Sequence, residues 1–321
     1  MAGSEIVDVA IRIYQVLGWT FLKLTAVPSL FCLAALSFFL YVWPDYFSTA
    51  HPGSESGQLI ELASNTGLIF FIAAPLFILG LSYTSVVVTQ VVSDYMVGNA
   101  PSIEAAEARG RSLLSKIFWL NMSEILLASG GIVGALLILV LAAHLGYSTS
   151  TSDSLAGWVL LLAILGFGGG AIMFLWVLTR HALAPAVLTL EDTSIREAAK
   201  RSSGLLKAYG MHPSGASGVW SLYLLLGLLS LLIWGGISQA LAIVDLPTLV
   251  QHNLRSLPLA PLLAEAVTLL PAFLTIWTLT PVWAVATTIL YYDRRIRLEG
   301  YDIEALAQDV WRADRSRRFD L

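Results

Sequence analysis

Six stretches of the chain run for about 20 residues or more with at most one charged side chain each. A helix of roughly 20 apolar residues crosses the roughly 30 Å hydrocarbon layer of a membrane. Lipid offers no hydrogen bonds to the backbone, so each spanning stretch must be helical. The pattern predicts an all-α integral membrane protein with six transmembrane helices, at about 24–43, 65–92, 117–143, 156–179, 219–243 and 264–292.

The composition agrees with this prediction. Hydrophobic residues make up 57% of the 321 residues, charged residues make up 12%, and the mean hydropathy is +0.75. Soluble domains rarely combine these values, because their helices need charged faces toward water. The single cysteine, Cys32, excludes an intramolecular disulfide. We expect one polytopic membrane domain over residues 1–321.

The charges then orient the chain. Of its 18 Lys and Arg residues, all except Arg255 fall in the segments before the first span, after the second, after the fourth and after the sixth. By the positive-inside rule, this distribution places both termini in the cytoplasm. We expect a multi-pass protein of the cell membrane, the inner membrane of a prokaryote, with its first span acting as an uncleaved anchor.

Short segments on the positive side share a repeated pattern. After Ile103, Ile195 and Ile303, apolar or small residues recur three or four positions later, and a looser copy opens the chain. This spacing gives a helix one apolar stripe. Ser194 and Glu197 form a capping-box pattern at one start. The pattern predicts three helical hairpins and amphipathic interfacial helices on the cytoplasmic side, at about 5–18, 102–115, 194–208 and 302–314.

Two parts of the chain resemble one known family. The sequence at 291–304, Tyr-Tyr-Asp-Arg-Arg-Ile-Arg-Leu-Glu-Gly-Tyr-Asp-Ile-Glu, resembles the end of the glycerophosphoryl diester phosphodiesterase membrane-domain family. The stretch from Ala184-Pro185 to Arg201-Ser202 resembles the exit of that family's fourth span, with Ser203 where an aromatic residue is typical. The resemblance implies a stand-alone bacterial or archaeal membrane module.

Phosphodiesterase activity is not expected from this chain. In the family that it resembles, the activity belongs to a separate soluble barrel with metal-binding carboxylates and histidines. The predicted segments between spans are far shorter than the roughly 250 residues of such a barrel. The resemblance therefore implies no activity, and the question of an enzyme stays open.

Candidate chemistry elsewhere is sparse. The five histidines lie in five segments, without a second histidine, cysteine or carboxylate at metal-ligand spacing. Gly215-Ala216-Ser217-Gly218 resembles the serine motif of rhomboid proteases, but no later span supplies the histidine base that a serine nucleophile needs. We predict no catalytic, cofactor-binding or metal-binding residues.

Ionisable residues at the end of the fourth span are the strongest polar candidates, because such groups are costly in a membrane and often functional. Arg180 and His181 interrupt an apolar run that continues to Leu190. One interpretation is a buried polar pair with Asp293 or Asp192 as its counter-charge. The other, which we favour, places both side chains at the inner headgroup level.

Cations beside the predicted interfacial helices are candidates for contacts with lipid headgroups, including anionic lipids of the cytoplasmic leaflet. The basic tail from Arg312 to Arg318 fixes the topology or adds a second membrane or protein contact. No large basic surface or aromatic platform indicates nucleic acid. The headgroup candidates are Arg109, Arg201, Lys207, Arg294, Arg295 and Arg297.

Glycines indicate how the spans pack. Gly130 and Gly134 in the third span, and Gly166 and Gly170 in the fourth, are spaced for close helix approach. A second interpretation is a discontinuous helix of the kind that transporters use.

Two classes of function stay open. The first is a non-catalytic membrane module that scaffolds, regulates or helps to assemble other components of the cell envelope, with a membrane-protein partner. The second is a transporter or channel-like protein for a small or lipidic substrate. An enzyme acting on lipid headgroups is a third and weaker alternative.

Overall fold

The computed structural model describes residues 3–48, 69–148, 153–207, 214–253 and 260–300. Within these ranges the chain is helical and contains no strand. A π-helical turn at Ile69–Ala73 leads into the second helix. The helices are α1 (Gly3–Ser48), α2 (Ala74–Met96), α3 (Ile103–Ser148), α4 (Asp153–His181), α5 (Ala184–Leu190), α6 (Ile195–Lys207), α7 (Ser214–Val244), α8 (Leu246–Asn253) and α9 (Ala260–Glu299).

Five helical segments in the described ranges are long and apolar enough to cross a membrane. This finding fits a multi-pass helical membrane protein. The third predicted span, 117–143, lies inside α3, whose residues 135–148 are described by their backbone alone. The five segments are Ser4–Phe38, Phe71–Met96, Ile164–Leu190, Val219–Val244 and Leu263–Glu299.

Helices α1 and α3 are each continuous where the sequence predicts two elements. Each has 46 residues, which at 1.5 Å per residue gives about 69 Å, roughly twice the hydrocarbon layer. Helix α1 contains both 5–18 and 24–43, and α3 contains both 102–115 and 117–143. Neither junction holds a proline, so nothing stops the helix between the two predicted parts.

The fourth apolar stretch ends in a broken helix. Helix α4 ends at His181, two residues form a turn, and α5 begins at Ala184 with Pro185 in its first turn. Proline fits the first turn because its missing N–H has no helical acceptor there. After the break, the short helix α5 leads to Glu191, the residue after its end, which lies beside α6.

The buried core contains residues of the first half of α1, the second half of α2, the start of α3, α5, α6, the start of α7 and the end of α9. Two hydrogen bonds join α2 to α9, between the hydroxyls of Thr89 and Thr288 at 3.1 Å and of Ser93 and Tyr292 at 2.8 Å. The second bond is four residues after the first on both helices. Helices α2 and α9 therefore run parallel, with their C-terminal ends in the core.

Away from this core, α4 and α7 expose large apolar side chains. An exposed apolar surface of this extent marks contact with lipid or with another protein. The exposed residues on these two helices include Ile164, Leu165, Ile172, Leu228, Leu231 and Leu232.

Helices α3 and α4 come closest at two glycines. A Cβ added to Gly131 would lie 2.7 Å from the Cα of Gly170, which is too close for any side chain. A Cβ on Gly130 or Gly134 meets nothing within 4 Å. The prediction that Gly130 and Gly134 form the close approach is wrong by one position, because the helix turns Gly131 toward α4 instead.

Helix α6 lies within the predicted range 194–208, and its location at a membrane surface stays a prediction. The predicted helix 302–314, the basic tail and Arg255 lie outside the described residues.

Candidate functional site

A capping box starts helix α6, as the sequence predicts. The backbone N–H of Glu197 donates to the Ser194 hydroxyl at 3.4 Å, and the Ser194 N–H donates to Glu197 Oε2 at 3.1 Å. The Ser194 hydroxyl also donates to this oxygen at 2.7 Å. These hydrogen bonds favour the ionised carboxylate and lower the pKa of Glu197.

One buried serine fastens α6 to the break between α4 and α5. The Ser202 hydroxyl accepts a hydrogen bond from the Leu183 N–H at 3.2 Å and donates to the Arg180 carbonyl at 3.1 Å. Both backbone groups belong to a helix interruption, where they lack their usual helical partners. Ala198 and Leu205 place the apolar stripe of α6 in the core. Helix α6 is therefore packed against the bundle.

Five side chains then join α5, α6 and α9 in a closed ring of contacts. Glu191 accepts hydrogen bonds from Tyr291 at 2.8 Å and from Arg201 Nε at 3.2 Å. Arg201 also forms an ion pair with Glu299. Arg295 closes the ring, because its Nε donates to Glu299 Oε2 at 3.1 Å and its Nη1 donates to the Tyr291 hydroxyl at 3.0 Å. We call these residues the Glu191 ring: Glu191, Arg201, Tyr291, Arg295 and Glu299.

The Glu191 ring balances its own charge. Two carboxylates face two guanidinium groups, and the Tyr291 hydroxyl donates to one side while it accepts from the other. The four charged side chains are between 16% and 39% exposed. Isolated surface pairs stabilise a protein little, but a network of several charges with low exposure contributes more. The ring therefore holds three elements in a fixed arrangement.

Arg109 extends this fastening to α3. Its Nη2 donates to the Thr189 carbonyl at 2.9 Å and lies 3.5 Å from Asp192 Oδ1. Asp192 has a left-handed backbone, with φ at 52°, which aspartate adopts more readily than most residues. That conformation turns the chain from the end of α5 toward α6. The start of α3 is thereby bound to the α5–α6 connection.

A cleft of about 610 Å³ opens beside the Glu191 ring. Its walls carry the ring members on one side and the outer face of α6 on the other. They mix both signs of charge with apolar surface, which suits a protein segment better than a single ion. The lining residues are Glu191, Thr193, Glu197, Lys200, Arg201, Gly204, Leu205, Leu298 and Glu299.

The predicted polar pair of Arg180 and His181 divides between two environments. The guanidinium of Arg180 lies 4.7 Å from the ring centroid of Trp176, which is itself exposed. His181 turns inward instead, with Nδ1 3.5 Å from Glu124 Oε1 and both side chains at most 16% exposed. Arg180 thus fits the headgroup interpretation, and His181 fits the buried one.

The counter-charges differ from those that the sequence suggests. Asp293 accepts from Arg297, four residues later on α9, at 2.9 Å. Asp192 faces Arg109. The carboxylate next to His181 is Glu124, which lies within the third predicted span.

Most of the predicted headgroup cations face protein carboxylates. Arg109, Arg201 and Arg295 hold the α5–α6 connection and the Glu191 ring. Arg294 is 1% exposed, so it lies inside the bundle, and its burial does not favour the predicted headgroup contact. Arg297 pairs with Asp293 while 42% exposed. Lys207 ends α6, and its side chain lies outside the described part of the structure.

One sequence signal could have indicated part of the ring. Tyr291, Arg295 and Glu299 are four residues apart, so they share one face of a helix. Glu191 and Arg201 lie about 100 residues away, and no local spacing relates them to that face.

Among the described residues, no group of three or more His, Cys, Asp or Glu side chains could hold a metal ion. Comparisons of the chain with protein-family models, with curated proteins and with solved structures found no match.

Proposed function

We propose that this chain is a non-catalytic membrane module that scaffolds or helps to assemble a complex of the cell envelope. It crosses the cell membrane of a prokaryote six times, as three hairpins, and both termini are cytoplasmic. The resemblance to the phosphodiesterase membrane-domain family supports a stand-alone membrane module without the catalytic barrel.

The observation that carries this proposal is the Glu191 ring. Its charged groups pair with one another across α5, α6 and α9. The hydrogen bonds that Glu191 accepts from Tyr291 and from Arg201 Nε are between 2.8 and 3.4 Å long. Groups held in this way stabilise an arrangement of helices. They form a fixed platform, which is the property that a docking surface for another protein needs.

The cleft beside the ring is the proposed docking site. Its exposed residues include Lys200 on α6 and Leu298 on α9, so a partner would contact two elements that the ring holds together. Protein interfaces commonly combine such an apolar contact with surrounding charges. The partner expected is the cytoplasmic segment of a second membrane protein.

The test is purification from membranes in a mild detergent, followed by mass spectrometry of the intact complex. The cleft variant is Lys200→Glu with Leu298→Glu. The matched control is Arg196→Glu with Ile296→Glu, which makes the same changes at exposed positions of α6 and α9 that do not line the cleft.

We expect one partner protein to co-purify at fixed stoichiometry with the wild-type chain and with the control. We expect the cleft variant to lose this partner. Elution of the wild-type chain with lipid alone would overturn the scaffold function. Equal loss in both variants would overturn the assignment of the cleft.

The alternative is a transporter or channel-like protein, and one contact favours it. His181 and Glu124 bring an ionisable pair together between α4 and α3, with side chains 16% and 13% exposed. Ionisable groups at such positions often belong to ion or substrate pathways. The test is the flux of a small or lipidic substrate into proteoliposomes that contain the chain. A flux that falls with Glu124→Gln, but not with the neighbouring Ser123→Ala, would establish transport in place of the scaffold.

A further inference from the structure

A second cleft, of about 470 Å³, lies between α1, α2 and α3. Its residues divide into two chemically different parts. One part carries charged and hydroxyl groups, and the other is a trough of apolar side chains. This division matches a molecule that is itself polar at one end and apolar at the other.

The polar part of the cleft has an excess of positive charge. Lys23 on α1 and Arg111 on α3 contribute two cations, and Glu107 contributes one carboxylate. Arg111 lies 3.5 Å from Glu107, in a pair with side chains 72% and 43% exposed. An exposed pair of this kind is weak and leaves Arg111 available to a stronger anion.

The ammonium of Lys23 lies over an aromatic ring. Its Nζ is 5.4 Å from the ring centroid of Trp19, which is 70% exposed. Tryptophan with a neighbouring lysine is typical of the boundary between headgroups and acyl chains. Lys23 also directly precedes the first predicted span, so the proposed topology, with both termini in the cytoplasm, puts the polar part of the cleft at the cytoplasmic leaflet.

The apolar trough follows from a close contact between helices. A Cβ on Gly80 would lie 2.5 Å from the Pro28 carbonyl oxygen and 2.6 Å from Cys32 Sγ, so only glycine lets α1 and α2 approach there. Beside this contact, Val27 and Phe31 remain 62% and 40% exposed while lining the cleft.

The Tyr83 ring closes one wall of the cleft. A Cβ on Gly110 would lie 3.1 Å from Tyr83 Cε2, so the absent side chain on α3 leaves room for the ring. Tyr83 thereby lines the same cleft as the two cations.

We propose that this cleft binds one anionic phospholipid of the cytoplasmic leaflet. The phosphate lies between Lys23 and Arg111, with the Tyr83 hydroxyl as a further donor. One acyl chain lies along Val27 and Phe31. The charge excess selects an anionic headgroup, and the apolar trough requires a lipid rather than a soluble phosphate. This site is independent of the proposed scaffold function.

The test measures binding of phosphatidylglycerol and phosphatidylcholine to the full chain in detergent, by native mass spectrometry. The cation variant is Lys23→Gln with Arg111→Gln. Each cation contributes about five-fold in affinity for an anionic lipid, so the loss for phosphatidylglycerol is about 25-fold. Binding of phosphatidylcholine falls less, because its choline ammonium offsets the charge of its phosphate.

Two controls make this result specific. The pair Arg12→Gln and Arg196→Gln removes two exposed cations outside the cleft and is expected to change affinity less than about two-fold. Val27→Trp fills the trough at an exposed position and weakens binding of both lipids.

Three outcomes would overturn the proposal. The first is equal affinity of the wild-type chain for the two lipids. The second is a loss in the Arg12 and Arg196 control as large as in the cation variant. The third is displacement of the lipid by glycerol phosphate, which would show a site for soluble phosphates.

Discussion

The hydroxyl of Tyr291 donates a hydrogen bond to Glu191 Oε1 at 2.8 Å, and the two residues are 100 positions apart in the chain. Tyr291 is fully buried, whereas Glu191 directly follows the short helix α5. This bond connects the buried part of α9 to the Glu191 ring, so the geometry of the ring depends on how the bundle packs.

Replacing Tyr291 by phenylalanine is expected to lower stability by about 1–2 kcal/mol, because Glu191 loses a donor and Arg295 loses an acceptor in a site with little water. Thermal unfolding in detergent measures the change as a lower Tm. Tyr95→Phe, an exposed position at the end of α2, is the control and leaves the Tm unchanged. An unchanged Tm for Tyr291→Phe would mean that this bond does not hold α5 to α9.

Arg201→Met is expected to destabilise the chain by about 1–2 kcal/mol, after allowance for its partial exposure. The substitution removes one of the two guanidinium groups that face Glu191 and Glu299, and leaves Arg295. Limited proteolysis around α6, together with the Tm, measures the effect. Arg196→Met, an exposed arginine on the same helix, should behave like the wild-type chain. The same loss in both variants would contradict a specific role of Arg201.

Gly131→Ala is expected to destabilise the contact between α3 and α4 by about 1–3 kcal/mol, because the new methyl group meets the backbone of Gly170. Gly130→Ala, one residue earlier, has open space and is expected to be neutral or to gain up to about 1 kcal/mol in helix propensity. Thermal unfolding of the two variants side by side gives the comparison. The reverse order would show that Gly130 faces α4.

The capping box predicts a pH dependence for α6. Hydrogen bonds from Ser194 lower the pKa of Glu197 below its ordinary value of 4.5 in the folded chain. A lowered pKa means that the ionised carboxylate stabilises the fold above pH 4.5, and that this contribution is lost as the pH falls through the folded pKa. The difference in Tm between the wild-type chain and Glu197→Gln should therefore shrink from pH 7 to pH 3.

Glu104→Gln, at an exposed position in the first turn of α3, is the control for this titration. Its difference from the wild-type chain is expected to stay small across the same pH range. A Glu197→Gln difference that is constant with pH would show that the cap stabilises α6 without its charge.

The sequence predicted correctly the features that depend on local pattern, which are the long apolar segments and the capping box. Apolar length marked five segments that the structure contains, and the spacing of Ser194 and Glu197 indicated a cap that is present. Both signals depend only on neighbours within a few residues or on hydropathy. Continuous helices through residues 18–24 and 115–117 were missed, because the change from amphipathic to apolar pattern was taken as a break.

The candidate site depends on contacts between residues that are far apart in the chain, and local sequence pattern does not predict such contacts. The partner of His181 is Glu124, about two turns into the predicted third span, and the choice among Glu124, Asp192 and Asp293 depends on how α3 and α4 rotate about their axes. A one-residue rotation also decides whether Gly130 or Gly131 meets Gly170. Such rotations follow from packing over the whole interface.

The uninterrupted length of α1 has a mechanical consequence. A single helix of 46 residues begins in the core and continues through Pro28 to Ser48. At about 69 Å, a tilt of about 10° at one end would displace the other by about 12 Å. In the proposed scaffold, a change in the tilt of α1 within the bilayer would therefore move the core residues that the first half of α1 packs against.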